Sequence, residues 1–335
     1  MNIDIDDLRR LMRQALAVRG VADDEAEFIL DDYIEAELEG ARTHGVGKFL
    51  LLDHVLATRQ GVPKIVHRFG SLAILDGQRE IGQIAGREAA QLVATLAAEH
   101  GIGLVGLRNV NRYSRLSPYA RLIADRGLVA IILNNAGPPA VAPYGAATPI
   151  LGTNPIAFGF PSSGESYVID MATSERVWGE IRQASLDGTD LPSSAFLDEL
   201  GNETTNPARV ESALPFGGPK GSALCIAIEL IAGLVPGGQM GTAVADEYDL
   251  GAVFIAIRPA DADNSASKVD QLLEEVRSAS PRPGVSAVRA PGDQSRSNYH
   301  DRLRVGTLEI GLETVDILRR MAQGKPGIEA DRLSN

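Results

Sequence analysis

Gly101-Ile102-Gly103-Leu104-Val105-Gly106 spells the dinucleotide pattern G-x-G-x-x-G, and its surroundings decide against the fold that pattern usually announces. A Rossmann fingerprint needs a strand before the glycines and a helix opening on the third, so that helix amides meet a pyrophosphate. Here residues 86–100 carry apolar side chains at helical spacing, and the glycines fall at and inside the apolar run 102–107. The order is reversed, with the helix first and the strand containing the glycines. Gly217-Gly218-Pro219-Lys220-Gly221 likewise lacks the Walker spacing, although it opens an apolar helix at Ser222. Exposed amides there plus the Lys220 ammonium would attract a phosphate, and a plain turn with a solvated lysine fits the local sequence equally well.

The same alternation continues on both sides. Residues 72–75, 102–107, 128–133, 155–160, 167–171 and 253–257 read as strands, and residues 86–100, 118–125, 222–234 and about 267–278 as helices. Interleaved strands and helices predict an α/β class. The first sixty residues read as helical instead. Leu8, Leu11, Met12, Ala15 and Leu16 follow the cap candidates Asp4 and Asp6 and stop at Gly20. Phe28, Ile29, Ile34 and Leu38 mark a second helix over about 23–40, and residues 49–56 a third apolar stretch. A last helix over about 308–321 is expected to return against these. The expected division is a helical segment at 1–60, an α/β core at 61–285 binding cofactor and substrate, and a C-terminal segment at 286–335 packed on the N-terminal helices. Residues 134–155 are too rich in glycine and proline for a regular element, and residues from 172 to about 216 read as polar loop.

The 335 residues are 44% hydrophobic, enough for a full core, and carry a net charge of −12. A surplus of carboxylates without a basic block repels phosphate backbones, which argues against nucleic acid as a partner. The single cysteine, Cys225, lies in an apolar run and leaves no disulfide framework or cysteine-based metal cluster. No run approaches the roughly 18 apolar residues of a membrane span. The acidic opening Met1-Asn2-Ile3-Asp4-Ile5-Asp6-Asp7 lacks the basic-then-apolar order of a signal peptide, so a cytoplasmic protein is expected.

Ala41-Arg42-Thr43-His44-Gly45-Val46-Gly47-Lys48 gathers a hydroxyl, an imidazole and two cations. A continuous helix would place His44 and Lys48 on one face, the imidazole for proton transfer and the ammonium for a carboxylate. A lone helical histidine is more often structural or solvated, and His54, His67, His100 and His300 have less suggestive surroundings. Asp170 ends an apolar strand and begins Asp170-Met171-Ala172-Thr173-Ser174. Its carboxylate would orient a histidine or a carboxamide, or else cap a helix or turn.

Together with Leu75-Asp76-Gly77, Arg108-Asn109-Val110-Asn111, Val141-Ala142-Pro143-Tyr144-Gly145, Gly152-Thr153-Asn154-Pro155, Pro215-Phe216 and Pro291-Gly292-Asp293, these segments resemble the malate/L-lactate dehydrogenase family. That family is distinct from the Rossmann enzymes of the same names, and the ordered matches cover nearly the whole chain. The resemblance implies a homodimer with a non-Rossmann NAD(P)-binding α/β fold and active sites near the subunit interface. It implies hydride transfer between NADH or NADPH and C2 of a small 2-oxo or 2-imino carboxylic acid. His44 matches the family's proton donor, Lys48 stands where an arginine usually grips the substrate carboxylate, and Thr43 replaces a serine. Cofactor contacts map to Asp170, Met171, Ala172, Thr173, Lys220, Gly221, Pro291, Gly292 and Asp293, with Thr153, Asn154 and Pro155 lining the substrate pocket.

Two positions depart from the family pattern. Arg112 stands where most relatives carry a second acid/base histidine, and a guanidinium that never deprotonates would instead hold a second carboxylate or a cofactor phosphate. Glu180, in Val177-Trp178-Gly179-Glu180, replaces a lysine. With Tyr113-Ser114-Arg115-Leu116 and Lys220-Gly221-Ser222-Ala223-Leu224, it resembles the subgroup that reduces Δ1-piperideine-2-carboxylate and Δ1-pyrroline-2-carboxylate. A cyclic imine arrives already protonated, so one lost histidine matters less. The expected function is an NAD(P)H-dependent reductase of a small 2-imino or 2-oxo acid, cyclic imino acids leading. His44 would donate the proton, Lys48 and Arg112 hold the carboxylate, and Asp170 orient. A 2-hydroxy-acid dehydrogenase and a dinucleotide-binding protein without turnover are the alternatives.

Overall fold

The computed structural model describes residues 1–246 and 248–328. Strand β1 (Asn2–Asp4) leads into helix α1 (Ile5–Ala17), whose first turn is capped by the Asp4 carboxylate accepting from the Asp6 and Asp7 amides. Helix α2 (Asp23–Glu39) and the short helices α3 (Val46–Phe49) and α4 (Leu52–Thr58) complete the N-terminal group. Leu8, Met12, Leu16, Ile29, Leu30 and Ile34 pack there in one apolar core.

The middle of the chain supplies β2 (Lys64–Phe69), β3 (Leu72–Asp76), α5 (Gly82–His100), β4 (Ile102–Arg108), α6 (Ser117–Ala124), β5 (Val129–Asn134), β6 (Ile156–Phe160) and β7 (Tyr167–Met171). Helix α7 (Gly179–Asp187), the short strands β8 (Phe196–Leu197) and β9 (Ser212–Ala213), α8 (Pro219–Leu234), β10 (Gly251–Ile257) and α9 (Ala262–Ser278) follow. The chain then forms α10 (Asp293–Val305), β11 (Thr307–Glu309) and α11 (Leu312–Ala322).

The central sheet has the order β2-β3-β4-β10-β5-β6-β7. Only β3 and β4 run parallel; the other neighbours are antiparallel. Helices α5 and α6 cover one face and α8 packs on β5 and β10 from the other. The opening glycines explain themselves in this packing. Gly101 ends α5 in the left-handed conformation, φ 85°, and a β-carbon on Gly103 would lie 2.4 Å from the Val93 carbonyl. They let the helix lie against its strand, and no helix opens on Gly106.

Several elements differ from expectation. Residues 42–48 are not one helix: a 3-10 turn, Arg42–His44, is separated from α3 by Gly45 in extended conformation. The polar stretch after Met171 contains α7, and the last helix starts at Leu312 because Thr307–Glu309 pairs with β1. Strand β2 is exposed along its whole length and α10 buries no residue fully, so neither carries an apolar period to read. Helix α11 packs on α1, and α10 on α2. No helix among the described residues is long and apolar enough to cross a membrane.

Candidate active site

Two contacts fix the exit of the turn that carries His44. Val46 donates its backbone N–H to Glu37 Oε1 of α2 at 2.9 Å. Gly45 lies so close to the same carboxylate that a β-carbon there would fall 2.0 Å from Oε1. From the other side, Ser114 Oγ donates to the His44 carbonyl at 3.0 Å, and the Ser114 carbonyl accepts from the imidazole. One ring nitrogen is thus a donor, which makes the other an acceptor in the neutral ring.

Ser114 is held in turn by its neighbour. Arg115 is buried and donates to Asp32 Oδ1 at 3.0 Å, to Glu35 Oε2 at 3.1 Å and to Glu39, all on α2. Arg121 shares Glu35 at 2.9 Å. Burial opposes the Arg115 charge, and attraction from Asp32, Glu39 and Glu35 outweighs it.

These surroundings set the state of His44. Withdrawal from bulk water, then the charges of Lys48 and Arg115, push its pKa from the ordinary 6.5 down to about 4. Solvent still reaches the ring from the cleft, but protein walls replace most of its hydration. At neutral pH the imidazole is uncharged.

Asp170 faces the same cleft from near the end of β7. Its Oδ2 accepts from the backbone N–H of Leu116 at 2.9 Å and of Ser117 at 2.8 Å, at the first turn of α6. Of the two readings open in the sequence, this contact is a cap, made for a helix distant in the chain. Crowding by the surrounding protein raises the carboxyl pKa despite the two donors, although one side remains open to solvent.

One cleft of about 2660 Å³ collects most of the expected site residues. Thr43, His44, Lys48, Arg112, Thr153 and Pro155 line it, as do Asp170, Met171, Ala172, Pro291, Gly292 and Asp293. Four expected residues do not line it. Asn154 is fully buried with φ 33°, donates to the Cys225 carbonyl at 3.0 Å and to Glu229 at 2.7 Å, and accepts from Ala136 N at 3.2 Å. That is a strut joining the sheet to α8. Thr173 is also buried, its hydroxyl donating to the Thr153 carbonyl at 3.0 Å. Lys220 and Gly221 form the first turn of α8, where a β-carbon on Gly221 would lie 1.8 Å from the Phe216 carbonyl. The glycine permits that close approach.

The cleft suits a dinucleotide together with a small acid. It exceeds the roughly 300–1,000 Å³ typical of a pocket for one small molecule. Met171 and Trp178 offer it uncovered apolar surface on which a flat ring can rest. Gly292, at φ 87°, leaves a bare backbone wall where a β-carbon would stand 3.3 Å from the Val168 carbonyl.

The malate/L-lactate dehydrogenase family model matches residues 3–319. The chain belongs to this family. L-sulfolactate dehydrogenase of Methanocaldococcus jannaschii is 31% identical over 337 residues, 92% of this chain and 97% of the relative. The solved structure of the sulfolactate dehydrogenase from that organism aligns at TM-score 0.87 over 97% of both chains, with 30% identity. 2,3-Diketo-L-gulonate reductase of Klebsiella pneumoniae is 30% identical over 320 residues, 91% of this chain and 96% of the relative. The structure of Δ1-piperideine-2-carboxylate reductase from Pseudomonas syringae pvar. tomato aligns at TM-score 0.80 with 26% identity, covering 96% and 99% of the two chains. The mixed α/β architecture is the one this family shares, and the protein is an NAD(P)-dependent oxidoreductase of the 2-hydroxy-acid dehydrogenase family.

Glu37 and Arg277 carry contacts that sequence patterns did not single out, and Ser114 was marked only as part of a resembling segment, without its contact to His44. Arg277 holds Asp293 through two N–H donations of 3.1 and 2.8 Å. For the Arg115 network a signal existed: Asp32, Glu35 and Glu39 recur at helical spacing within a helix whose apolar residues face the core.

Proposed function

We propose that the protein interconverts a small 2-oxo carboxylic acid and its 2-hydroxy acid, with His44 exchanging the proton at the substrate oxygen. The observation that carries this is the placement of His44, its carbonyl held by Ser114 Oγ, in one cleft with Lys48 and Arg112. Lys48 and Arg112 would hold the substrate carboxylate, the guanidinium supplying the planar fork that a lysine lacks. Thr43 and Thr153 would border the acid. Thr43 is itself pinned, since a β-carbon on Gly179 would lie 2.2 Å from its methyl group. Asp170, Met171 and Ala172, together with Pro291, Gly292 and Asp293, which lie beside the same strand at Val168, would hold NADH or NADPH. The bound nicotinamide supplies or accepts the hydride at C2. His44 donates a proton to the oxygen during reduction and removes it from the hydroxyl during oxidation.

A second reading, reduction of cyclic imino acids, rests on Arg112. An iminium brings its own proton, so a site with one acid/base histidine and a guanidinium suffices for it. The likeness to the piperideine-carboxylate reductase favours this reading, and the 30–31% identity to a sulfolactate dehydrogenase and a diketogulonate reductase favours the first.

The homodimer belongs to the same proposal and finds support in α8, whose outward residues Ile226, Leu230, Ile231 and Leu234 are all exposed. A cytoplasmic location is in keeping with the free, buried thiol of Cys225. The deciding experiment follows loss of dihydronicotinamide absorbance with pyruvate, oxaloacetate, Δ1-piperideine-2-carboxylate and Δ1-pyrroline-2-carboxylate side by side. Keto-acid turnover that disappears in His44→Ala, with cofactor binding retained, supports the first reading. Preference for the imines moves the protein to the second, and silence on all four with cofactor bound points to a binding protein without turnover.

A further inference from the structure

We infer that Glu229, buried on α8, is a positioning residue that sets the substrate-binding wall of the cleft through Asn154. The inference rests on the placement of the acid beside Thr153 proposed above. Asn154 is itself fully buried, yet Thr153 and Pro155 on either side of it line the cleft. Its φ of 33° is one that residues with a side chain rarely adopt, and a residue before proline is normally extended. Such a conformation persists only where the surroundings over-determine it. Here the side-chain amide is held on both of its ends. Nδ2 donates to the Cys225 carbonyl at 3.0 Å and to Glu229 Oε2 at 2.7 Å, and Oδ1 accepts from the Ala136 amide at 3.2 Å. Ala136 begins a stretch that lines the cleft as far as Ala140. One side chain therefore fixes two segments of the wall.

The other oxygen of Glu229 fixes a third. Oε1 accepts from the Gly241 amide at 2.7 Å, at the start of the 3-10 turn Gly241–Ala243, and the chain continues through Ala245 and Asp246 along the cleft. The carboxylate meets N–H donors rather than a cation among the described residues. Burying a charge in that way is costly unless hydrogen bonds to it are well made. An ionised carboxylate accepts on both oxygens, and both groups facing this one are donors. A carboxamide of the same shape would turn an NH2 group toward one of them. Asn154 cannot flip to receive it without giving up Ala136 and Cys225. The acid at 229 thus answers to what it holds, and what it holds is the backbone on which the substrate side of the cleft is built.

Steady-state kinetics with pyruvate, oxaloacetate and the two cyclic imines, beside cofactor titration read by quenching of Trp178, test this. Glu229→Gln is expected to raise KM for the acid about tenfold and to lower kcat, while the Kd of the dihydronicotinamide cofactor stays within about twofold. Asn154→Gly enters the left-handed region freely but has no amide to be held, so the same rise in KM is expected from it. A wild-type KM in Asn154→Gly would show that the backbone conformation alone matters, which overturns the strut. An unchanged KM in Glu229→Gln overturns the role of the carboxylate. A weakened fold lowers the active fraction, and with it kcat, without moving KM. Loss of kcat alone, or of the fold in both variants, therefore overturns the inference in favour of a purely structural role. No turnover of any of the four acids by the unsubstituted chain, with cofactor bound, overturns the functional reading and this inference with it.

Discussion

Because His44 is neutral in the ligand-free cleft, an acid bound for reduction must arrive with a proton or find one there. Lys48 is among the causes of the low pKa, and a substrate carboxylate beside it offsets that charge and raises the imidazole. Reduction needs the protonated ring. Its kcat/KM, which reports the free enzyme, is expected to be level below about 4 and to fall about tenfold per pH unit above it. Its kcat should hold to clearly higher pH, and coincident breaks in the two profiles would remove the coupling between Lys48 and His44. Tyr119 offers a test of packing. Its hydroxyl is fully buried and has no hydrogen-bond partner among the described residues, with Gly86 against the ring and Tyr113 at a centroid distance of 5.7 Å. A buried, unpaired hydroxyl costs about 1–3 kcal/mol, so Tyr119→Phe is expected to raise stability by about 1 kcal/mol in denaturant unfolding. A lower midpoint would show that the phenol has a partner after all. At this scale His44 and Lys48 stood out as candidates because titratable groups at short spacing can be read along the chain, and the fold brings both, with the distant Asp170, to one cleft. The contacts of Ser114 and Glu37 were not legible, since each acts on a backbone group supplied by a distant or differently folded segment.

Elements show where such contacts become architecture. The 3-10 turn of His44, the extended Gly45 and α3 form a connection whose geometry depends on one buried carboxylate of α2. Gly45→Ala would drive a methyl group into Glu37, forcing the carboxylate off the Val46 amide. The expected result is a fall in kcat of at least about tenfold with cofactor affinity retained, since only the proton-exchanging turn is displaced. Unchanged turnover in a folded Gly45→Ala protein would mean that this anchor does not position His44. Sequence periodicity located α1, α2, α5, α8 and most strands of the sheet, because each buries a face with a regular repeat. It missed α7, which buries little, and the all-exposed β2. It also started the last helix at about Leu308, inside Thr307–Glu309, where pairing to β1 overrides helical spacing. The apparent nucleotide fingerprint failed as a nucleotide site for a related reason: its glycines answer to helix-on-strand packing, a demand that writes the same letters.

For the whole molecule, alternation of strands and helices was enough to predict an α/β class and too little to predict strand direction. Strand β10 enters between β4 and β5 from far downstream, antiparallel to both, and no local residue encodes that long-range choice. The surface carries one comparable statement about assembly. Helix α8 buries Cys225, Ile228 and Ala232 against the sheet side and turns Ile226, Leu230, Ile231 and Leu234 outward. Leu234 is 65% exposed and Leu230 47%, a continuous apolar stripe on a chain with net charge −12. Such a stripe is costly in water, and a second copy related by a two-fold axis would cover it with the same residues. Leu230→Lys with Leu234→Lys is therefore expected to convert a dimer into a monomer in sedimentation equilibrium, with secondary structure preserved. If the wild-type chain is already monomeric at micromolar concentration, the stripe is not a subunit interface. If the double variant stays dimeric, the subunits meet through another face, and the exposed strand β2, with Ile65, Val66 and Phe69 uncovered, is the next surface to charge.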